Sequence, residues 1–264
     1  MGGDEVRIRP AVVANGEWLK ALHEVAYASL SGQLHDPRAE AWQRGFFAGR
    51  IAHPVDLFIV EDGAMVDLYE AGLVGKLVDT QTFDLRAIED LRVNPDHHEV
   101  SAAEYADPLG LGAFVDELDM VILSALEVDL DFNVNVLTGS DGVMRGASGG
   151  HSDTARGAKL AIVVAPLLRS RTPTVVERVT TLVTPGSDIA ALVTDVGIAV
   201  NPNRPELHER LRDLNLPLTS IADLMQRSIE IAGKPRPPRF GDKVVGVVRY
   251  PDGSVIDEVH EVIG

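Results

Sequence analysis

The sequence predicts an α/β protein, with a mostly parallel sheet and helices on its flanks. Two patterns carry this expectation. Short apolar, β-branched runs recur from Val55 onward, and segments with helical spacing and helix-capping residues lie between and after them. The 264 residues, 45% hydrophobic and 24% charged, are enough for one large domain or two small ones with a full core.

The first element is different in kind. "EWLKALHEVAYASL" sets Trp18, Leu19, Leu22, Val25 and Ala26 at helical spacing, and "DPRAEAWQRGFFAG" reads as a second helix with Pro37 in its first turn. A helical N-terminal segment is expected over 1–54 and an α/β domain over 55–264. In that domain "VDLFIV", "MVILSAL", "NVNVL", "KLAIVVAP", "VVERVTTLVT" and "LVTDVGIAV" read as buried strands. "RPELHERLRDL" offers Pro205 as a first helical residue. "SIADLMQRSIEIAG" offers a Ser220-x-x-Asp223 capping box and Gly233 as its stop. A stiff connector, "GKPRPPRF", leads into a hairpin turning at Pro251-Asp252-Gly253, whose valine-rich arms are expected in the core.

Composition also excludes. No run approaches the roughly 20 apolar residues of a membrane span. "MGGDEVRIRP" has no apolar signal region, so a cytoplasmic location is expected. The absence of cysteine removes disulfides, thiolate metal sites and cysteine nucleophiles. With 24 Lys+Arg against 40 Asp+Glu, the net charge of −16 makes nucleic acid and anionic lipid poor partners. Residues 142–183 run the other way. Arg145, Arg156, Lys159, Arg169, Arg171 and Arg178 face only Asp153 and Glu177, so that stretch is +4 and suits an anionic ligand.

Within the basic island lies "RGASGGHSDTARGAK", Arg145 to Lys159. Gly146 to Gly150 matches the G-x-S-x-G of a hydrolase elbow, which requires a helix directly after the serine. The next periodic element is the strand "KLAIVV", so the expectation is a loop between two strands. Dinucleotide and Walker loops fail on the same ground. His151 and Asp153 are too few for a metal site, adjacent His97 and His98 diverge, and no metal is expected. What remains is a bend offering amides, an imidazole and a carboxylate. It could stabilise an oxyanion at a thioester or carboxylate carbonyl, with His151 and Asp153 orienting groups or shuttling protons. An ordinary structural turn is the alternative. Arg169 and Arg171, next to a strand, read as capping or solubilising cations.

Longer stretches carry a resemblance. "MVDLYEAGLVGKLVDTQTFDL", "LDMVILSALEVDLDFNVNVLTGSDGVMRGASGGHSDTARGAKLAIVVAPLL", "PTVVERVTTLVTPG", "LVTDVGIAVNPNRPEL" and "VVGVVRYPDGSVIDEV" together resemble the citrate lyase alpha chain family, the citrate CoA-transferase subunit, over about residues 58–264. The resemblance implies an α/β CoA-transferase domain of the NagB/RpiA/CoA-transferase type. It implies an enzyme exchanging acetate for citrate on an acyl-carrier thioester. No cofactor is bound permanently; the thioester sits on the CoA-derived phosphopantetheine of the carrier. The implied partners are the acyl carrier (gamma) and lyase (beta) subunits.

On that basis Gly149 and Gly150 would hold the oxyanion, and His151 and Asp153 would position citrate or the departing thiol. Arg145, Ser148, Arg156 and Lys159 would bind substrate or carrier. "QTFD", Gln81 to Asp84, stands where related transferases carry a nucleophilic Glu, which implies direct exchange; Glu70 is the nearest carboxylate that could lie in the site, a helix-end surface Glu being its alternative reading. The family's chain has two such domains and this sequence matches the second. The first would come from a separate chain or from a homodimer. A non-catalytic docking module of a citrate lyase-like complex is the alternative function.

Overall fold

The computed structural model describes residues 58–59, 64–72, 74–82, 84–106, 113–212, 214, 216–236 and 238–263. The helices expected within 1–54 and the proposed boundary at 54/55 lie outside the described residues.

The chain first builds a three-stranded parallel sheet in the order β1 (Phe58–Ile59), β2 (Leu77–Asp79), β3 (His97–Glu99). Helix α1 (Ala64–Glu70) joins β1 to β2 and helix α2 (Leu85–Val93) joins β2 to β3. Met65, Val74 and Leu77 form its small core. Buried Asp79 accepts the Gln81 amide at 2.6 Å and bonds the Thr82 hydroxyl. His97 is buried with Nδ1 2.8 Å from Asp90, whereas His98 is exposed, so the two adjacent side chains diverge. Helix α3 (Ala102–Ala106) follows.

The main sheet has five strands in the order β12-β11-β10-β7-β4. Strand β4 (Val121–Leu123) is parallel to β7 (Ala161–Val164), between which come the hairpin β5 (Glu127–Val128)–β6 (Val134–Asn135) and helix α4 (His151–Gly157). The hairpin β8 (Leu168–Arg169)–β9 (Thr172–Pro173) then precedes β10 (Ala191–Val193), which is parallel to β7. Strand β11 (Ile198–Val200) returns antiparallel, helix α5 (Pro205–Arg212) crosses over, and β12 (Leu218–Thr219) pairs parallel to β11. The expected parallel-rich α/β architecture is present. Period-two alternation fills both faces. Ala161 and Val163 pack with Leu192, Phe132 and Ile221, while Ile162 and Val164 pack with Val193, Leu207 and Leu211.

Helix α6 (Ile221–Ala232) starts as its capping residues require. Ser220 Oγ accepts the Asp223 amide at 3.0 Å, and Gly233 ends the helix at a φ of 81°. Pro205 is the first residue of α5.

Three expectations are corrected. "VVERVTTLVT" is not a strand. Carboxylates take the amides a ladder would need: Asp129 receives Val179 N–H at 3.3 Å, Glu127 receives Thr180 N–H at 2.7 Å, and Asp257 receives Leu182 N–H at 2.6 Å. Only Val175 and Thr184 make isolated bridges, to Val128 and Val134. "LVTDVGIAV" is two strands, because the Thr194 hydroxyl accepts the Val196 and Gly197 amides and turns the chain. The C-terminal hairpin, β13 (Phe240–Arg249) and β14 (Val255–Val262), turns at Gly253 as expected, but it is not core. Among the described residues its strands pair only with each other. Val248 is 7% exposed, while Val244 is 42%, Val245 56% and Val247 48%, so most valines of β13 face water, and register shifts along the hairpin break a simple alternation.

Among the described residues no helix is long and apolar enough to cross a membrane.

Candidate active site

Helix α4 corrects the expectation of a plain loop before β7. The sequence hides it because it has two turns and buries small and polar residues, His151, Ser152, Thr154 and Ala155, rather than an apolar stripe. It runs back along the sheet and begins at the C-terminal ends of the parallel strands, the edge where α/β folds bind ligands. The glycines fit it there. A Cβ on Gly157 would lie 2.5 Å from the Val115 carbonyl oxygen, and one on Gly146 would lie 2.5 Å from that of Val136.

The diglycine bend forms the entry to α4. Gly149 has a φ of 48°, in the left-handed region that glycine occupies without a Cβ penalty, and Gly150 is the N-cap. The Ser148 carbonyl accepts His151 N–H at 3.0 Å, and the Gly150 carbonyl accepts Thr154 N–H at 2.9 Å. Among the described residues no acceptor takes the amides of Gly149 or Gly150, and residues 143–150 are exposed. The bend thus presents donors outward instead of into the sheet. A Cβ on Gly150 would meet the Tyr105 ring at 3.2 Å and Asp153 Oδ2 at 3.9 Å, so α3 and the Asp153 carboxylate flank the amides. Burial pushes the Asp153 carboxyl above its ordinary value.

His151 sits beneath the bend, 8% exposed. Its Nε2 donates to the Ser124 carbonyl at 2.9 Å, which leaves Nδ1 as acceptor of the Thr184 hydroxyl at 2.7 Å. Burial lowers its pKa from 6.5 to about 4, so the ring is neutral near pH 7. With both nitrogens committed to the protein, it holds the bend in place; this geometry gives it no free proton to move.

The basic island disperses in space. Arg145 pairs with Asp141, and Lys159 pairs with Asp119 at 2.9 Å. Arg156 stacks 5.2 Å from the Tyr250 ring centroid, and the Tyr250 hydroxyl donates to Asp188 at 2.6 Å. Arg156 lies six residues beyond the N-cap, about 9 Å along the helix from the bend, and Lys159 lies further still. Ser148 stays exposed beside the glycines. Glu70 ends α1 on the surface and pairs with Arg86 at 2.7 Å. Asp84 is the N-cap of α2 and accepts the Arg86 and Ala87 amides at 2.9 and 3.1 Å. Glu70 and Asp84 are thus brought together through Arg86, around α2. Replacing Asp84 with Ala is expected to lower the unfolding free energy by about 1 kcal/mol, as a lost cap does; a urea titration reads it.

A family model described as the alpha subunit of citrate lyase matches residues 59–262. The chain belongs to that family. The citrate lyase alpha chains of Haemophilus influenzae and Escherichia coli are 60% and 59% identical over 199 and 198 residues, 75% of this chain in each case. That match is 40% and 39% of their own length, so the chain spans about two fifths of the curated relatives. A solved citrate lyase alpha subunit from Streptococcus mutans, in complex with citrate, superposes with a TM-score of 0.82 at 40% identity, over 97% of this chain and 52% of that one. A mutant RipA structure, 20% identical with a TM-score of 0.51 over 70% of this chain and 46% of that one, shares the fold alone.

Two features of this citrate lyase alpha-family chain escape a reading of the sequence. Tyr105 reaches the bend from a separate helix, and no local pattern marks it. Glu127, 2% exposed, anchors the root of the glycine loop. Its carboxylate receives Asn135 Nδ2 at 2.7 Å, Thr180 N–H at 2.7 Å, Thr180 Oγ1 at 3.1 Å and Ser140 Oγ at 2.5 Å. Asn135 also donates to the Thr138 carbonyl at 2.7 Å, which fixes where the chain leaves for Arg145. An acid inside the apolar run "ALEVDL" is the one signal that could have marked it. Among the described residues no group of three or more His, Asp or Glu side chains is placed to hold a metal ion.

Proposed function

We propose that the chain carries the acyl-exchange site of a citrate lyase alpha-type CoA-transferase, converting acetyl-S-carrier and citrate to citryl-S-carrier and acetate. The observation that carries this reading is the outward pair of amides at Gly149 and Gly150, on the ligand-binding edge of a citrate lyase alpha-family sheet. The Streptococcus mutans relative solved with citrate supports the identity of the acid.

A citrate carboxylate oxygen attacks the acetyl thioester carbonyl, and the tetrahedral oxyanion takes the two bend amides. The thiolate leaves and a mixed anhydride forms. The thiolate then attacks the citrate acyl carbon and expels acetate. Neither step needs a net proton transfer, which agrees with a neutral, fully bonded His151 acting as a positioning residue. Asp153, half-buried beside the amides, would orient the acid. The thioester arrives on the phosphopantetheine of an acyl carrier (gamma) subunit in the cytoplasm, and a lyase (beta) subunit consumes the product. A first CoA-transferase domain, in a separate chain or a second copy, completes the cleft.

The outward valines of the C-terminal hairpin favour the second reading, a non-catalytic docking module. An exchange assay separates the two. The full chain is mixed with acetyl-S-carrier and labelled citrate, alone and with the complementary transferase half. Labelled citryl-S-carrier is expected in the mixture. Its absence under both conditions, with the complex still assembling, establishes the docking reading instead.

A further inference from the structure

Arg169 ends β8, just beyond the C-terminal end of β7, and its guanidinium crosses to the segment that leaves β4. Nε and Nη2 both donate to the Ala125 carbonyl, at 3.1 and 2.6 Å. The carbonyl immediately before it, that of Ser124, holds His151 Nε2. The guanidinium and the imidazole under the diglycine bend therefore hang from consecutive carbonyls at the same sheet edge. The turn behind Arg169 is built with some strain, since Ser170 adopts a φ of 56° without being glycine.

The charge is what stands out chemically. Arg145, Lys159, Arg86, Arg92 and Lys234 each pair with a carboxylate. Half-buried Arg169 pairs with none among the described residues; its partner is a neutral carbonyl. Among the described residues two of its five N–H bonds are used, and burial holds it below the usual arginine value. Desolvated cations are ordinarily compensated by an anion, and a guanidinium fork matches a carboxylate in shape as well as charge.

We propose that Arg169 is the carboxylate-binding residue of the site, receiving a carboxylate of the di- or tricarboxylic acid substrate at the sheet edge that carries the diglycine bend. The proposal rests on the acyl-exchange reading and adds to it the residue that selects the acid. A polycarboxylate would put one carboxylate on Arg169 while another reaches the thioester carbonyl, whereas acetate has a single carboxylate and leaves after exchange.

The test compares Arg169→Gln and Arg169→Lys with Arg171→Gln, a change at an exposed arginine in the same turn. Citrate affinity of the chain with its complementary half is measured by calorimetry, alongside the KM for citrate, the KM for acyl thioester, and Tm. Arg169→Gln is expected to weaken citrate binding about tenfold or more, with the thioester KM within about twofold of the parent. Arg169→Lys should fall between, and Arg171→Gln should match the parent. Unchanged citrate affinity in Arg169→Gln overturns the proposal, as does a parallel loss for both substrates that tracks Tm, which would mark a structural clip. If the parent itself neither binds citrate nor exchanges it, the functional reading fails first.

Discussion

Glu127→Ala is expected to lower the unfolding free energy by about 3–5 kcal/mol, because it strands several buried donors at once. Asn135 Nδ2, Thr180 N–H and the Ser140 and Thr180 hydroxyls all converge on this one carboxylate. Alanine offers none of them an acceptor, and the site is too enclosed for solvent to replace it freely. Glu127→Gln should cost much less. Its amide nitrogen can face the two hydroxyls, which can rotate to accept, while its oxygen keeps the two N–H donors. Urea denaturation of both variants checks the order. The reach extends past stability, since the same carboxylate fixes the base of the loop that ends in the diglycine bend. Exchange activity should therefore fall in the alanine variant even at temperatures where it remains folded.

His151→Ala is expected to cost about 3 kcal/mol, from the cavity and from the unpaired Thr184 hydroxyl and Ser124 carbonyl. It should also change how stability depends on pH. The folded protein holds this ring neutral down to a pKa of about 4, whereas the unfolded chain protonates it near 6.5. Between those values the unfolded state binds more protons, so stability falls as pH falls through the window. The ring's contribution is complete above pH 6.5 and lost toward pH 4, a span worth on the order of 3 kcal/mol. Unfolding free energies measured from pH 7 to pH 4.5 should show a shallower decline in the alanine variant than in the parent.

The parallel-rich sheet was legible because β7 and β10 are short apolar runs buried on both faces, and β4 beside β7 is an apolar, β-branched run at the sheet edge. Ser220, Pro205 and Gly233 announced two helices through chemistry local to each end. Helix α4 was not legible, since a two-turn helix that buries Thr and Ala leaves no periodic signal. "VVERVTTLVT" looked like a strand by composition, but carboxylates distant in sequence decide where its amides go. The site divided in the same way. The bend was visible in its glycines. The fate of its neighbours was not, because the partners of His151, Arg156 and Arg169 lie 27 to 94 positions away along the chain.

The outward face of the β13–β14 blade has an energetic corollary. Valines left in water forgo about 25 cal/mol for each Å² that could be covered. The folded chain therefore keeps unrealised cohesion along an exposed strip of the hairpin. Any surface that seats against the strip gains that energy without disturbing the sheet, so association and folding can draw on separate reserves of apolar area.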